Sequence, residues 1–102
     1  MNLGEAPRRT GDAGTASIRL EPDTLDGGRE QLAWEVRRIL GDGPKEVVLI
    51  ATDVEFLPLE GVALLLVLRN EAAAQGASVR LVDCSDVVQR RLRITGLASI
   101  LT

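Results

Sequence analysis

Residues 46–76 read EVVLIATDVEFLPLEGVALLLVLRNEAAAQG, and the order of apolar and charged positions within them decides the fold class. Val47, Val48, Leu49, Ile50 and Ala51 form a continuous apolar run, rich in β-branched residues and far too short to span a membrane. Such a run suits a central strand buried on both faces, and hence a parallel or mixed sheet. Past a short charged turn, Val62 to Leu68 is uninterrupted apolar sequence, and a solvated face begins only at Arg69, Asn70 and Glu71. This is the pattern of a helix that is apolar almost all the way round, with Gly76 as its stop signal. A second apolar strand, Ala77 to Val82, follows at once. Together the three segments make a β-α-β unit whose crossover is expected to be right-handed.

Toward the N-terminus, Ala16-Ser17-Ile18-Arg19-Leu20 alternates in the manner of a half-buried strand, and Pro22 ends its capacity to donate to a ladder. An edge or near-edge position is expected. Residues 1–15 hold three glycines, Pro7 and Arg8-Arg9 but few large apolar side chains, so they are expected to form a flexible tail before a single domain over 16–102. A helix capped by Thr24 or Asp26 should run to about Leu40, where Gly41, Gly43 and Pro44 oppose continuation. Its Leu32, Val36, Ile39 and Leu40 fall at i, i+4, i+7 and i+8 and face the core. Trp34 lies off that stripe, and either folds back over the helix edge or marks a contact surface, where tryptophan is enriched.

Toward the C-terminus, Asp83 and Cys84 end the second strand. Cys84 is a reactive thiol if a helix N-terminus lies close, and otherwise a small buried filler, the reading favoured in the absence of a basic neighbour. Ser85 should cap a helix from Asp86 to about Arg93, with Val87, Val88 and Leu92 inward. Its Arg90, Arg91 and Arg93 form a basic outer face, either simply solvated or suited to an acidic partner. Gly96 stops this helix, and Leu97 to Leu101 is expected to seal the core.

Composition narrows the function classes. At 102 residues and 45% hydrophobic, the chain has the size and the apolar content for one core. Twelve basic against fifteen acidic residues, a net charge of −3 and two aromatic residues leave little to hold nucleic acid. Histidine is absent and Cys84 is alone, which removes the usual general base, disulfides and multi-cysteine metal sites. An enzyme is not expected, nor is a cofactor. The lone cysteine fits a reducing cytoplasm, and with neither a leader pattern nor a membrane-length apolar run the chain reads as soluble, unprocessed and not membrane-inserted.

The order of strand, Val54-Glu55-Phe56, a loop with Gly61, a leucine-rich helix closed by Gln75-Gly76 and the strand Val79-Arg80-Leu81-Val82 resembles a STAS domain, the family named after sulfate transporters and anti-sigma factor antagonists. The likeness continues through Ser85-Asp86-Val87-Val88 and Ile94-Thr95-Gly96-Leu97. It implies a single α/β domain with a mixed β-sheet and packed helices. It also implies a protein partner: an anti-sigma factor with serine-kinase character or, in STAS subunits of lipid-transporting ABC complexes, the transporter ATPase. A homodimer is compatible with either.

In regulatory STAS domains the loop before the central helix reads D-S-S-G or D-[ST]-x-G, and its first hydroxyl is phosphorylated. Setting Gly61 on the family glycine places Pro58 at the aspartate, Leu59 at the phosphoacceptor and Glu60 next to it. Ile50 falls where many members carry an acidic residue. Pro58 and Glu60 suit a helix start, through fixed φ and favourable charge at the dipole. Glu60 is therefore either plain helix chemistry or a permanent substitute for the phosphate's charge. Because a domain this small rarely buries every side of one helix, the expected partner surface is Pro58, Leu59, Glu60, Ala63 and Val67, flanked by Trp34, while Val62, Leu65, Leu66 and Leu68 face the sheet.

No residue of the Pro58-Leu59-Glu60 triplet offers a hydroxyl, so intact-mass analysis after incubation with a cognate kinase should show no stoichiometric phosphate. A full phosphate mapped to Thr52 or Ser85, the nearest hydroxyls at the start of a loop or helix, would overturn that expectation.

Overall fold

The structure, a computed structural model, describes residues 14–25 and 27–100, and the greater part of the expected tail lies outside them. Among the described residues three strands and three helices alternate: β1 (Thr15–Arg19), α1 (Arg29–Leu40), β2 (Glu46–Ile50), α2 (Leu59–Ala74), β3 (Ser78–Val82) and α3 (Asp86–Ile94), followed by a 3-10 turn at Ala98–Ile100. The described strands form one sheet in the order β1-β2-β3, parallel throughout. β2 is central, as its continuous apolar run requires, and β1 and β3 flank it. No helix among the described residues is long and apolar enough to cross a membrane.

Register places Ala16, Val47 and Val79 in one row and Ile18, Leu49 and Leu81 in the next. Strand side chains alternate between faces, so these rows share one face, and that face carries the core. Leu32, Val36, Ile39 and Leu40 of α1 pack on it as the i, i+4, i+7, i+8 spacing predicts, with Val62, Leu65, Leu68 and Ala72 of α2 beside them. Val88 and Leu92 of α3, Leu97 and Ile100 complete the same cluster. On the opposite face Val48 is buried outside that cluster, while Ile50 and Val82 are half-buried. Arg80 lies on the same face as Val48, where its Nε stands 2.9 Å from Glu46 Oε2 as an ionic contact without hydrogen-bond alignment. A thinner cover than the helices provide therefore meets the second face of β2.

Four local expectations are corrected. The N-cap of α1 is Gly28, because the Thr24 hydroxyl turns back to accept a hydrogen bond from the Glu21 amide at 2.7 Å; Asp26 lies outside the described residues. Leu66 is exposed instead of facing the sheet, since Leu65 and Leu68 take the inward positions and leave it about 100° round the helix. Val87 is exposed as well, because Val88 and Leu92 at i and i+4 define the buried stripe of α3. Pro58 is buried at the N-cap of α2, so its ring offers no open surface. The remaining cap follows the sequence: Ser85 Oγ accepts from the Val88 amide at 3.2 Å.

α1 and α2 are tied together on the outside by Arg37, whose Nε and Nη2 each donate to Glu71 at 2.8 Å. The paired geometry raises the arginine pKa further and lowers that of the carboxyl, mainly through the shared hydrogen bonds. At its N-terminus α2 comes closer still. A β-carbon added at Gly61 would stand 2.8 Å from the Leu25 carbonyl oxygen and 3.0 Å from Leu57 Cδ1, which backbone atoms cannot yield cheaply. Gly61→Ala should therefore destabilise the protein by about 1–3 kcal/mol despite alanine's better helix propensity, read as a fall in the denaturant midpoint at constant slope. A neutral or stabilising effect would show that α2 can move away from Leu25.

Candidate partner-binding surface

The loop from Ala51 to Pro58 leaves the carboxyl end of β2 and alternates buried anchors with exposed side chains. Ala51, Val54, Leu57 and Pro58 are buried; Thr52, Asp53, Glu55 and Phe56 are exposed. Pro58 takes extended angles, φ −70° and ψ 162°, and its carbonyl accepts the amides of Gly61 and Val62 at 2.9 and 3.1 Å to close the first turn. No side chain caps that turn. The acidic side chain that the first turn sets at the positive end of the helix dipole is the exposed Glu60.

With Gly61, Val62, Leu65 and Leu68 held inward, the outer side of α2 is forced to carry Leu59, Glu60, Ala63, Leu66 and Val67. All five are exposed, and Leu59 is 64% accessible. Leu59, Ala63, Leu66 and Val67 sit at i, i+4, i+7 and i+8, so they form one apolar stripe with Glu60 at its head. Leu59, Glu60, Ala63 and Val67 were predicted from sequence; Leu66 was not. Trp34 is exposed on α1, where the Arg38 guanidinium lies 5.2 Å from the ring centre and Glu30 and Gln31 border it. The ring is thus engaged by its own helix while most of it stays open to solvent.

The hydroxyls nearest the loop are both occupied. Thr52 Oγ1 points to Asp83 Oδ2 at 3.5 Å, a long contact that places a carboxylate where an added phosphate would need cations. Ser85 Oγ is committed to capping α3. Asp83 itself adopts φ +60°, in the left-handed region, at the turn from β3 into the α3 cap. Cys84 follows, half-buried, and burial together with the neighbouring Asp83 carboxylate pushes its thiol up to about 11. That environment disfavours the thiolate, in keeping with a half-buried filler packed against the core.

A second apolar surface escaped the sequence reading. Phe56, Val87 and Ile94 are 63%, 60% and 75% exposed, and they line a groove between the loop and α3. Part of its signal was present in the sequence: Val87 and Ile94 stand at i and i+7, a stripe of their own beside the buried Val88 and Leu92.

Comparison with known proteins agrees with this geometry. The family model for the STAS domain matches residues 14–102. Among solved structures, the NMR structure of the protein TM1081 superposes with a TM-score of 0.75 at 17% identity, covering 100% of this chain and 82% of that one, a likeness of fold alone. Curated proteins yield no match. The family match over all but the first 13 residues shows that this chain belongs to the STAS domain family.

Proposed function

We propose that this STAS domain is a non-enzymatic interaction module of the anti-sigma factor antagonist kind, which docks on an anti-sigma factor of serine-kinase character through the outer face of α2 and is not switched at residues 58–60. The observation that carries this reading is the stripe of Leu59, Ala63, Leu66 and Val67, left exposed on a helix whose other side is fully packed. A soluble domain gains nothing in stability from an exposed Leu59, and contiguous apolar surface of this kind marks contacts. Glu60 supports the unswitched reading, because a fixed carboxylate stands in the first helical turn, one residue past Leu59, the position where the family's regulatory members acquire a phosphate. The absence of histidine from the chain supports the non-enzymatic part.

The partner recovered with the wild-type domain as bait should lose at least tenfold in affinity for Glu60→Lys and for Ala63→Arg, measured by calorimetry. Both positions are exposed, so both variants should keep the wild-type melting temperature to within a few degrees. Reversal at Glu60 costs only about 0.3–1 kcal/mol through the helix dipole. A like charge or an unpaired charge inside a contact costs several kcal/mol. Unchanged affinity in both folded variants would remove α2 from the interface, and recovery of a transporter ATPase in place of a kinase would assign the domain to the other branch of its family.

A further inference from the structure

The groove beside α3 has an apolar floor and a basic rim. Phe56 from the loop, with Val87 and Ile94 from α3, leaves a volume of about 350 Å³ open to solvent. Arg90 and Arg91 border it, with Asp86 at one end at the start of α3. The state of these two arginines is unusual for this molecule. Arg19 pairs with Asp53, Arg37 with Glu71 and Arg80 with Glu46; Arg69 bonds Ser99, Arg93 bonds Gln89, and Arg38 lies over Trp34. Arg29 is engaged too. Among the described residues, the side chains of Arg90 and Arg91 alone among the arginines have no such partner, and Nε of Arg91 is buried without an acceptor. Unmet guanidinium groups and unmet apolar surface therefore coincide at one place.

We propose that this groove is a docking site for an acidic amphipathic segment of a partner protein, whose apolar side chains lie on Phe56, Val87 and Ile94 while its carboxylates meet Arg90 and Arg91. The inference is independent of the α2 surface, with which it shares no residue. Depth and charge choose the occupant. Three floor residues at 60% exposure or more make the groove too shallow to enclose a small apolar molecule, so its cover must bring its own bulk. A second copy meeting it about a two-fold axis would set arginine against arginine. A helix carrying apolar anchors with acidic flanks satisfies both demands at once, through the groove-binding mode in which anchors recur every three to four residues.

The test uses the full chain and a synthetic helix of about four turns with a leucine stripe flanked by glutamates, against the same peptide with lysines in their place. In amide-correlation NMR titrations the glutamate peptide should shift residues 54–57 and α3, bind at least about tenfold more tightly than the lysine peptide, and weaken as salt is raised. Ile94→Asp and Arg90→Glu, both at exposed positions, should each weaken it at least about tenfold without altering the dispersion of the remaining spectrum. Any of three results would overturn the proposal: no shift at millimolar peptide, equal binding of the lysine peptide, or shifts confined to other elements. Sedimentation as a dimer that Ile94→Asp dissociates would do so as well, by making a second copy the occupant. So would binding of phosphatidylserine vesicles in the absence of any response to peptide.

Discussion

The surface of this domain depends on how closely α2 can approach the turn ahead of α1. At Gly61 the backbone comes within reach of the Leu25 carbonyl, at a separation where a β-carbon would have only 2.8 Å. That contact sets the rotational phase of the helix, because each residue then turns about 100° from the last. Val62, Leu65, Leu68 and Ala72 follow Gly61 inward, and Leu59, Glu60, Ala63, Leu66 and Val67 have nowhere to go but out. Turning the helix by one residue would bury the Glu60 carboxylate and place a side chain against Leu25, two costs with no compensating gain. The apolar stripe is thus a consequence of packing at the helix's first turn, and not a defect in its composition.

The same reasoning explains what the sequence shows and what it hides. Strands and helix ends are local matters, so the β2 run, the Ser85 cap and the stops at Gly76 and Gly96, both at positive φ, are legible from neighbours in the chain. α1 and the inner stripe of α3 are legible as well, because their polar residues mark one side clearly. α2 carries no such mark. With apolar residues all round, periodicity cannot choose between Leu65 and Leu66, and only the position of a neighbouring loop decides. Val87 misleads for a related reason. It is apolar in a short segment, and burial there depends on whether another element arrives above it. The Thr24 cap fails differently, because its hydroxyl found a nearer amide in Glu21.

Charge in this fold is arranged along the β-α repeat. Arg19 with Asp53, Arg37 with Glu71, and Glu46 with Arg80 are each separated by 34 residues. Strand register advances by nearly the same interval, Thr15 pairing with Glu46 and Glu46 with Ser78. Each pair therefore links successive units, two or three residues beyond strict register: strand end to loop, helix to helix, strand to strand. Exposed pairs of this kind contribute little to stability. Their effect is to leave the described surface nearly free of unmatched arginine. It is against that background that Arg90 and Arg91 stand out, for no carboxylate among the described residues pairs with them.

The two apolar surfaces have a common origin in one loop. Leu57 and Pro58 are buried side by side, and the exposed residues on either side of them diverge: Phe56 opens toward α3, while Leu59 begins the stripe on α2. A change that repacks Leu57 disturbs both, because its methyl group also touches the space at Gly61. Changes farther along the helices do not. Val67 lies two turns into α2, and Ile94 closes α3; both are exposed and stand outside the core cluster that holds Leu57. Substitutions at the far ends should behave as independent sites, whereas those in the loop should not. A single partner that covered both surfaces would have to straddle Leu57 and Pro58, bringing an acidic apolar helix to one side and a cation for Glu60 to the other. The two proposed sites together demand opposite charge on the two flanks, so one uniformly acidic partner would be a poor fit for both.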